Sequence, residues 1–180
     1  GGTTVSGGTL ELQNGAAISD SGAVVLDNTA GVNLLVTYSE TIGSLAGGGA
    51  SGGNVQVAAG QTLTTGGANT STSFAGVISG SGGLTKQGSG TFTLSGTSTY
   101  AGITTVSAGV LDVTGSLTGT SQLDITGGSF IAHGTSLADT AAVNVSGTGL
   151  FDVRGSETIG ALSNNGVVSL GANDLTGDVL

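Results

Sequence analysis

A phrase of ten or eleven residues returns along this chain at an almost fixed step. Thr104–Val113, Leu123–Ala132 and Val143–Val153 superpose on one another, and Leu84–Leu94 upstream reads similarly. The copies, starting at positions 84, 104, 123 and 143, recur every roughly 20 residues, a step that belongs to solenoids, propellers or arrays. Within each unit, two short segments of alternating apolar and polar residues flank a corner of Ser, Thr or Gly.

Alternation at period two marks half-buried strands. It points Leu111 and Val113, Leu123 and Ile125, Val143 and Val145, and Phe151 and Val153 inward, and turns Asp112, Asp124, Asn144 and Asp152 outward. Leu10-Glu11-Leu12, Val55-Gln56-Val57 and Phe92-Thr93-Leu94 obey the same rule, and no helical stripe competes. One unit cannot shield an apolar face of a few residues, so each must stack on the next through parallel, in-register strands. The expected fold is all-β: a single-stranded parallel β-helix, or β-solenoid, of about 20 residues per rung. It makes roughly nine rungs over residues 1–180 and a rod on the order of 40 Å long.

The composition agrees with this architecture. The chain has no Pro, as expected where every strand must donate its N–H groups to a neighbour. Its 37 glycines suit corners, and Gly109, Gly127 and Gly128 are expected at positive φ, where a Cβ would clash. Leu, Ile, Val and Phe together exceed a quarter of the residues, enough to build a core.

A longer repeat overlies the short one. Gly2–Leu12 resembles Ile103–Val113 at an offset of 101, and Glu40-Thr-Ile-Gly-Ser-Leu45 resembles Glu157-Thr-Ile-Gly-Ala-Leu162 at an offset of 117. The growth of the offset reads as roughly one rung gained between the copies. The chain is therefore expected to begin and end within a tandem array, with uncapped ends, as a piece of a longer polypeptide.

Charge and residue inventory exclude several functions. A formal charge of -9 repels nucleic acid and anionic membrane surfaces, and the longest uncharged stretch, from Glu40 to Lys86, is too rich in polar residues for a membrane helix. No Cys is present, which removes disulfides and thiolate chemistry. His133 is the only histidine. It supports no His-metal cluster, and a Ser-His-Asp triad would have to be built around it alone; a rung-corner His with one hydrogen bond is the expected role.

Outward Glu11, Asp112, Asp124 and Asp152 suggest the carboxylate row of pectin-cleaving β-helices, but basic partners are too few. Arg154 stands two residues from Asp152, where a surface ion pair is expected. Gly147-Thr-Gly149 before Asp152 is one approximate look-alike of a calcium-binding Gly-Gly-x-Gly-x-Asp loop, without the series such rolls need. Thr62-Leu-Thr64 and Thr91-Phe-Thr93 resemble ice-ordering ladders but do not recur at the step of the short repeat. Phe92, Phe130 and Phe151 are inward by parity, and Tyr38, after Leu34-Leu-Val36, is the one aromatic available to a binding surface, although carbohydrate binding usually needs more exposed aromatics than this. No catalytic, cofactor or metal site is assigned.

Gly82-Gly-Leu-Thr-Lys86, Gly88-Ser-Gly90, Leu94-Ser-Gly96, Thr99-Tyr-Ala-Gly102 and Thr104-Thr-Val106 follow in order within residues 74–113. This stretch closely resembles the autotransporter-associated β-strand repeat, and residues 2–12 look like the tail of a preceding copy. The resemblance implies a right-handed coil in the passenger region of a bacterial type V secreted protein, exported through the periplasm to the cell surface or beyond. There it would be a non-enzymatic stalk that presents or spaces an adhesive or effector region. The alternative is a self-associating adhesin or fibre former that assembles through its solenoid ends. Expected partners are flanking rungs of the parent chain, another copy of itself, or a ligand on a host or neighbouring cell. Membrane insertion by this segment is not expected.

Overall fold

A computed structural model describes residues 1–179, and throughout them the chain winds as a parallel β-solenoid of about nine turns without a helix. Each full turn passes three faces, where the short repeat suggested two segments. The first face is a nine-stranded sheet running from Thr3–Val5 to Val167–Ser169, one strand per turn. The second is an eight-stranded sheet from Glu40–Ile42 to Leu175–Val179. The third begins as four strands, Thr9–Leu12, Asn33–Val36, Asn54–Val57 and Ile78–Gly80, and shrinks to the two-residue strands Thr97–Ser98 and Ser116–Leu117. A two-residue strand is too short to alternate, which hides the later part of this face from a parity reading.

The register follows the repeat residue for residue. Leu84 pairs with Thr104, Thr104 with Leu123, and Leu123 with Val143. Every residue assigned inward in that region is buried: Leu111, Val113, Leu123, Ile125, Val143, Val145, Phe151 and Val153 are at most 1% exposed. Columns of like residues therefore run along the axis, and each buried Leu, Val, Ile or Phe contributes roughly 1.5–3 kcal/mol. Phe130 and Phe151 stack on consecutive turns with ring centroids 5.9 Å apart and planes tilted by 57°.

The longer repeat takes an unexpected path. Thr3–Val5 lies on the first face, whereas its counterpart, Thr104–Val106, lies on the second. Likewise Glu40–Ile42 lies on the second face and turns onto the first at Ser44, whereas Ala161 and Leu162 of the later phrase pair on the second face. Both phrases of the second copy are displaced by one face in the same direction. Between them the second copy passes three more faces than the first, which is one whole turn.

Two expectations about small residues are corrected. Gly109 has φ +64°, but Gly127 and Gly128 lie outside the left-handed region. Those two are glycine because the preceding turn passes close by: a Cβ on Gly127 would stand 2.6 Å from the Ser107 carbonyl oxygen, and one on Gly128 2.8 Å from that of Gly109. Thr64, in turn, does recur. It stands in register with Thr41 and Thr85, and Thr85 with Thr105, so four threonines form an outward rank on the second face. Their positions are unevenly spaced along the chain, which conceals the rank from a fixed window. Its neighbour breaks up as Thr62, Gly83, Ile103 and Gln122.

Candidate functional site

The outward carboxylates do not assemble into one site. Glu11 lies on the third face, Asp112 and Asp152 on the first, and Asp124 on the second. Asp112 and Asp152 are two turns apart, with Ile131 between them in the rank, a separation of about 10 Å. Each carboxylate has its own local partner. His133 Nε2 is 2.8 Å from Asp112 Oδ1, and Arg154 Nε donates to Asp152 at 2.8 Å. Asp124 accepts from Gln122 Nε2 at 2.8 and 2.9 Å and from Asn144 Nδ2 at 2.8 Å. Glu11 accepts from the Thr37 hydroxyl at 3.2 Å. Among the described residues no three His, Asp or Glu side chains gather as a metal site. The Arg154–Asp152 pair and the single side-chain partner of His133 match the sequence expectations. Tyr38 is exposed, at 53%.

On the second face a shallow groove of about 330 Å³ crosses successive turns beside the threonine rank. Its floor is bare backbone at Gly82, Gly83 and Gly102, and Ile103 and Asp124 are among the residues that bound it. The glycines are required by packing: a Cβ on Gly102 would stand 2.3 Å from the Gly82 carbonyl oxygen.

The concentrated chemistry is buried. Glu40 and Glu157, the first residues of the repeated Glu-Thr-Ile-Gly phrase, are each 2% exposed. Each reaches back one turn to two successive main-chain N–H groups in a stretch without a regular strand. Glu40 accepts from Ala17 N at 3.1 Å and Ile18 N at 2.8 Å. Glu157 accepts from Ser136 N at 2.8 Å and Leu137 N at 3.1 Å. Burial raises the Glu157 pKa above the usual carboxylate value; the two N–H donors oppose that rise and Asp139 adds to it. A third polar core joins Tyr100, Thr104 and Thr120. The Tyr100 and Thr104 hydroxyls are 2.6 Å apart, those of Thr104 and Thr120 2.9 Å, and Thr120 donates to the Gly102 carbonyl at 3.0 Å. Burial of Tyr100 pushes its phenol well above the ordinary range.

Lys86 is also inward, 1% exposed, in the column between Thr65 and Val106. Its Nζ donates to the carbonyls of Gln87 at 2.7 Å, Gly88 at 2.9 Å and Ala108 at 3.2 Å. Burial lowers its pKa to about 8. The sequence held the signal for all three buried charges. Lys86 shares parity with Leu84, Glu40 with Ile42 and Glu157 with Ile159, but a charged residue does not register in a search for apolar alternation. Among the described residues every buried side-chain polar atom has a hydrogen-bond partner, so these groups act as structural closures of the corners.

Comparison with known proteins agrees with this picture. The family model of the passenger-associated-transport-repeat matches residues 1–12 and 84–113. Over 180 aligned positions, covering 95% of the chain, the sequence is 37% identical to the Adhesin BmaC autotransporter of Brucella suis biovar 1 (strain 1330). That alignment spans 5% of the relative's length. No solved structure matches the chain. The chain carries an autotransporter passenger repeat, once in residues 84–113 and once, partially, in residues 1–12.

Proposed function

We propose that this solenoid is a rigid, non-enzymatic stalk segment in the passenger of a surface-exposed or secreted adhesin. It spaces or presents an adhesive region reached by export through the periplasm. The observation that carries the reading is the first face, one parallel sheet that links nine successive turns without a break. Bending such a rod requires breaking main-chain hydrogen bonds and apolar columns together. The relative named as an adhesin gives the class of protein in which such a rod would serve. Its partners in this reading are neighbouring solenoid turns, while the host or neighbouring-cell ligand belongs to the presented region.

The test uses a surface-displayed parent and a cell-adhesion assay. Outward substitutions at Tyr38, Thr85 and Asp124 are expected to leave adhesion intact, whereas deleting two whole turns shortens the reach of the presented region. Loss of adhesion on the outward substitutions would make the rod itself the adhesive. Sedimentation of the isolated chain then separates the two forms of that alternative: growth with protein concentration identifies self-association, and a constant monomer identifies a ligand on another surface.

A further inference from the structure

We propose that the second face is a self-complementary surface on which a second copy of this chain docks side by side, the two rods pointing in opposite directions. The groove beside the threonine rank is open at Gly82 and Gly83, and one turn further on Ile103 stands out, 45% exposed. A knob and a hole one turn apart in one rank fit each other when a copy is turned over about a two-fold axis that lies in the face, across the rod and midway between those turns. Each Ile103 then enters the hole at the other copy's Gly83, and the two isoleucines meet about 4.8 Å apart along the rod.

The same axis sorts the rest of the face into matched pairs. The outward rank runs Thr41, Thr64, Thr85, Thr105, Asp124, Asn144. Reversed on itself, it sets Thr85 against Thr105, Thr64 against Asp124 and Thr41 against Asn144, while the neighbouring rank sets Thr62 against Gln122. Each of these pairs brings a threonine hydroxyl to an oxygen that can accept. Gln122 and Asn144 spend amide N–H groups on Asp124, which leaves their carbonyl oxygens as acceptors. Rods laid in the same direction would set every turn against its own copy, with Asp124 beside Asp124.

Charge permits this contact despite the net -9. Between Asp27 and Asp112 the only charged residues are Glu40 and Lys86, and both are buried. In the antiparallel pair the two Asp124 carboxylates lie three turns apart, about 14 Å, beyond the roughly 8–10 Å Debye length of physiological salt. Four-residue strands over six turns present about 13 by 29 Å, an area that belongs to weak, transient interfaces. Opposed rods stand on facing surfaces, where many such contacts add. The contact goes beyond the stalk reading, which is tested separately, by adhesion to a surface that carries no copy of the chain.

The experiment measures the mass of the isolated chain by sedimentation equilibrium. A monomer–dimer equilibrium is expected, with a dissociation constant of about 0.1–1 mM. Ile103→Lys should abolish it by setting two like charges at the centre of the contact. Thr64→Lys should tighten it about fivefold at low salt, because each new ammonium meets the other copy's Asp124, and high salt should erase the gain. Both substitutions are outward, so the unfolding midpoint should stay within about 4 °C of the native value. A constant monomer mass up to about 2 mM overturns the docking surface. So does a dimer that Ile103→Lys leaves intact, which would give the contact to the rod ends. Weakening by Thr64→Lys overturns the antiparallel arrangement on which the pairing rests.

Discussion

The two halves of the rod reach the same cross-section by different means. On the second face, Glu40, Leu63 and Leu84 stack at long and unequal steps, whereas Leu84, Thr104, Leu123 and Val143 stack at shorter, nearly equal ones. On the first face, Gly47 pairs with Phe74, a longer step still. The surplus leaves at corners. Gly49 and Gly52 form an antiparallel bridge in one excursion, pinned by Asn28 Oδ1, which accepts from Ser51 N at 2.8 Å and Gly52 N at 3.2 Å. The later half has lost such excursions between Leu84 and Val143, and its third face has narrowed to two-residue strands. Parallel pairing therefore fixes the faces and leaves corner length free, so a regular sequence period reports uniform corners more than uniform strands.

The most damaging change should come where the columns are most regular. Ile125→Asp buries a charge at a position that is 0% exposed, and a cost of more than about 4 kcal/mol is expected. Amide exchange should lose protection in the turns on either side of Ile125 while the strands Asn33–Val36 and Asn54–Val57 retain theirs. An unchanged thermal midpoint would show the inward parity to be wrong, and loss of protection from end to end would show the halves to be one cooperative unit.

The glutamate closures test whether irregular stretches in both halves are held alike. Glu40→Ala and Glu157→Ala each strand two main-chain N–H groups, so each should cost roughly 2–4 kcal/mol by chemical denaturation. Glu157→Gln should cost less than Glu157→Ala, since a neutral acceptor suits a carboxylate whose pKa burial has raised. The raised folded pKa means that the native state binds the proton more tightly than the unfolded state. Stability from this group consequently falls as pH rises through its folded pKa, and Glu157→Gln should remove that slope.

Lys86 gives the opposite dependence. Its folded pKa of about 8 lies below the ordinary 10.5, so between these values the unfolded chain holds the extra proton and stability rises with pH. Between about pH 8 and 9.5 the native chain should gain on the order of 1–2 kcal/mol, and Lys86→Met should stay flat. A native profile as flat as that of the variant would contradict a buried ammonium in this half. The smallest effect is expected at the surface. Asp152→Asn should cost under about 1 kcal/mol, shrinking further in high salt, because Arg154 is largely solvated.

Much of this molecule was legible from residue order. The inward set from Leu111 to Val153 and the one-turn gain in the longer repeat follow from periodicity because apolar columns demand register. The third face was legible in its first part, at Leu10-Glu11-Leu12 and Val55-Gln56-Val57, but not in its later part, since Thr97–Ser98 and Ser116–Leu117 are too short to show alternation. Nor were Lys86, Glu40 and Glu157, whose inward positions are satisfied by main-chain partners that only the neighbouring turn supplies. The threonine rank escaped for a third reason: unequal corners shift Thr41, Thr64, Thr85 and Thr105 out of any constant stride.

The displacement of the second repeat copy by one face has a directional meaning. Thr3–Val5 and Thr104–Val106 carry the same phrase yet look out from different sides of the rod, about a third of a circle apart. Copies placed along a longer rod by such offsets would show their common outer residues at several compass bearings instead of in one line. A partner that reads this phrase would then meet it from more than one direction of approach, and a single flat surface laid against the rod would touch only some of the copies.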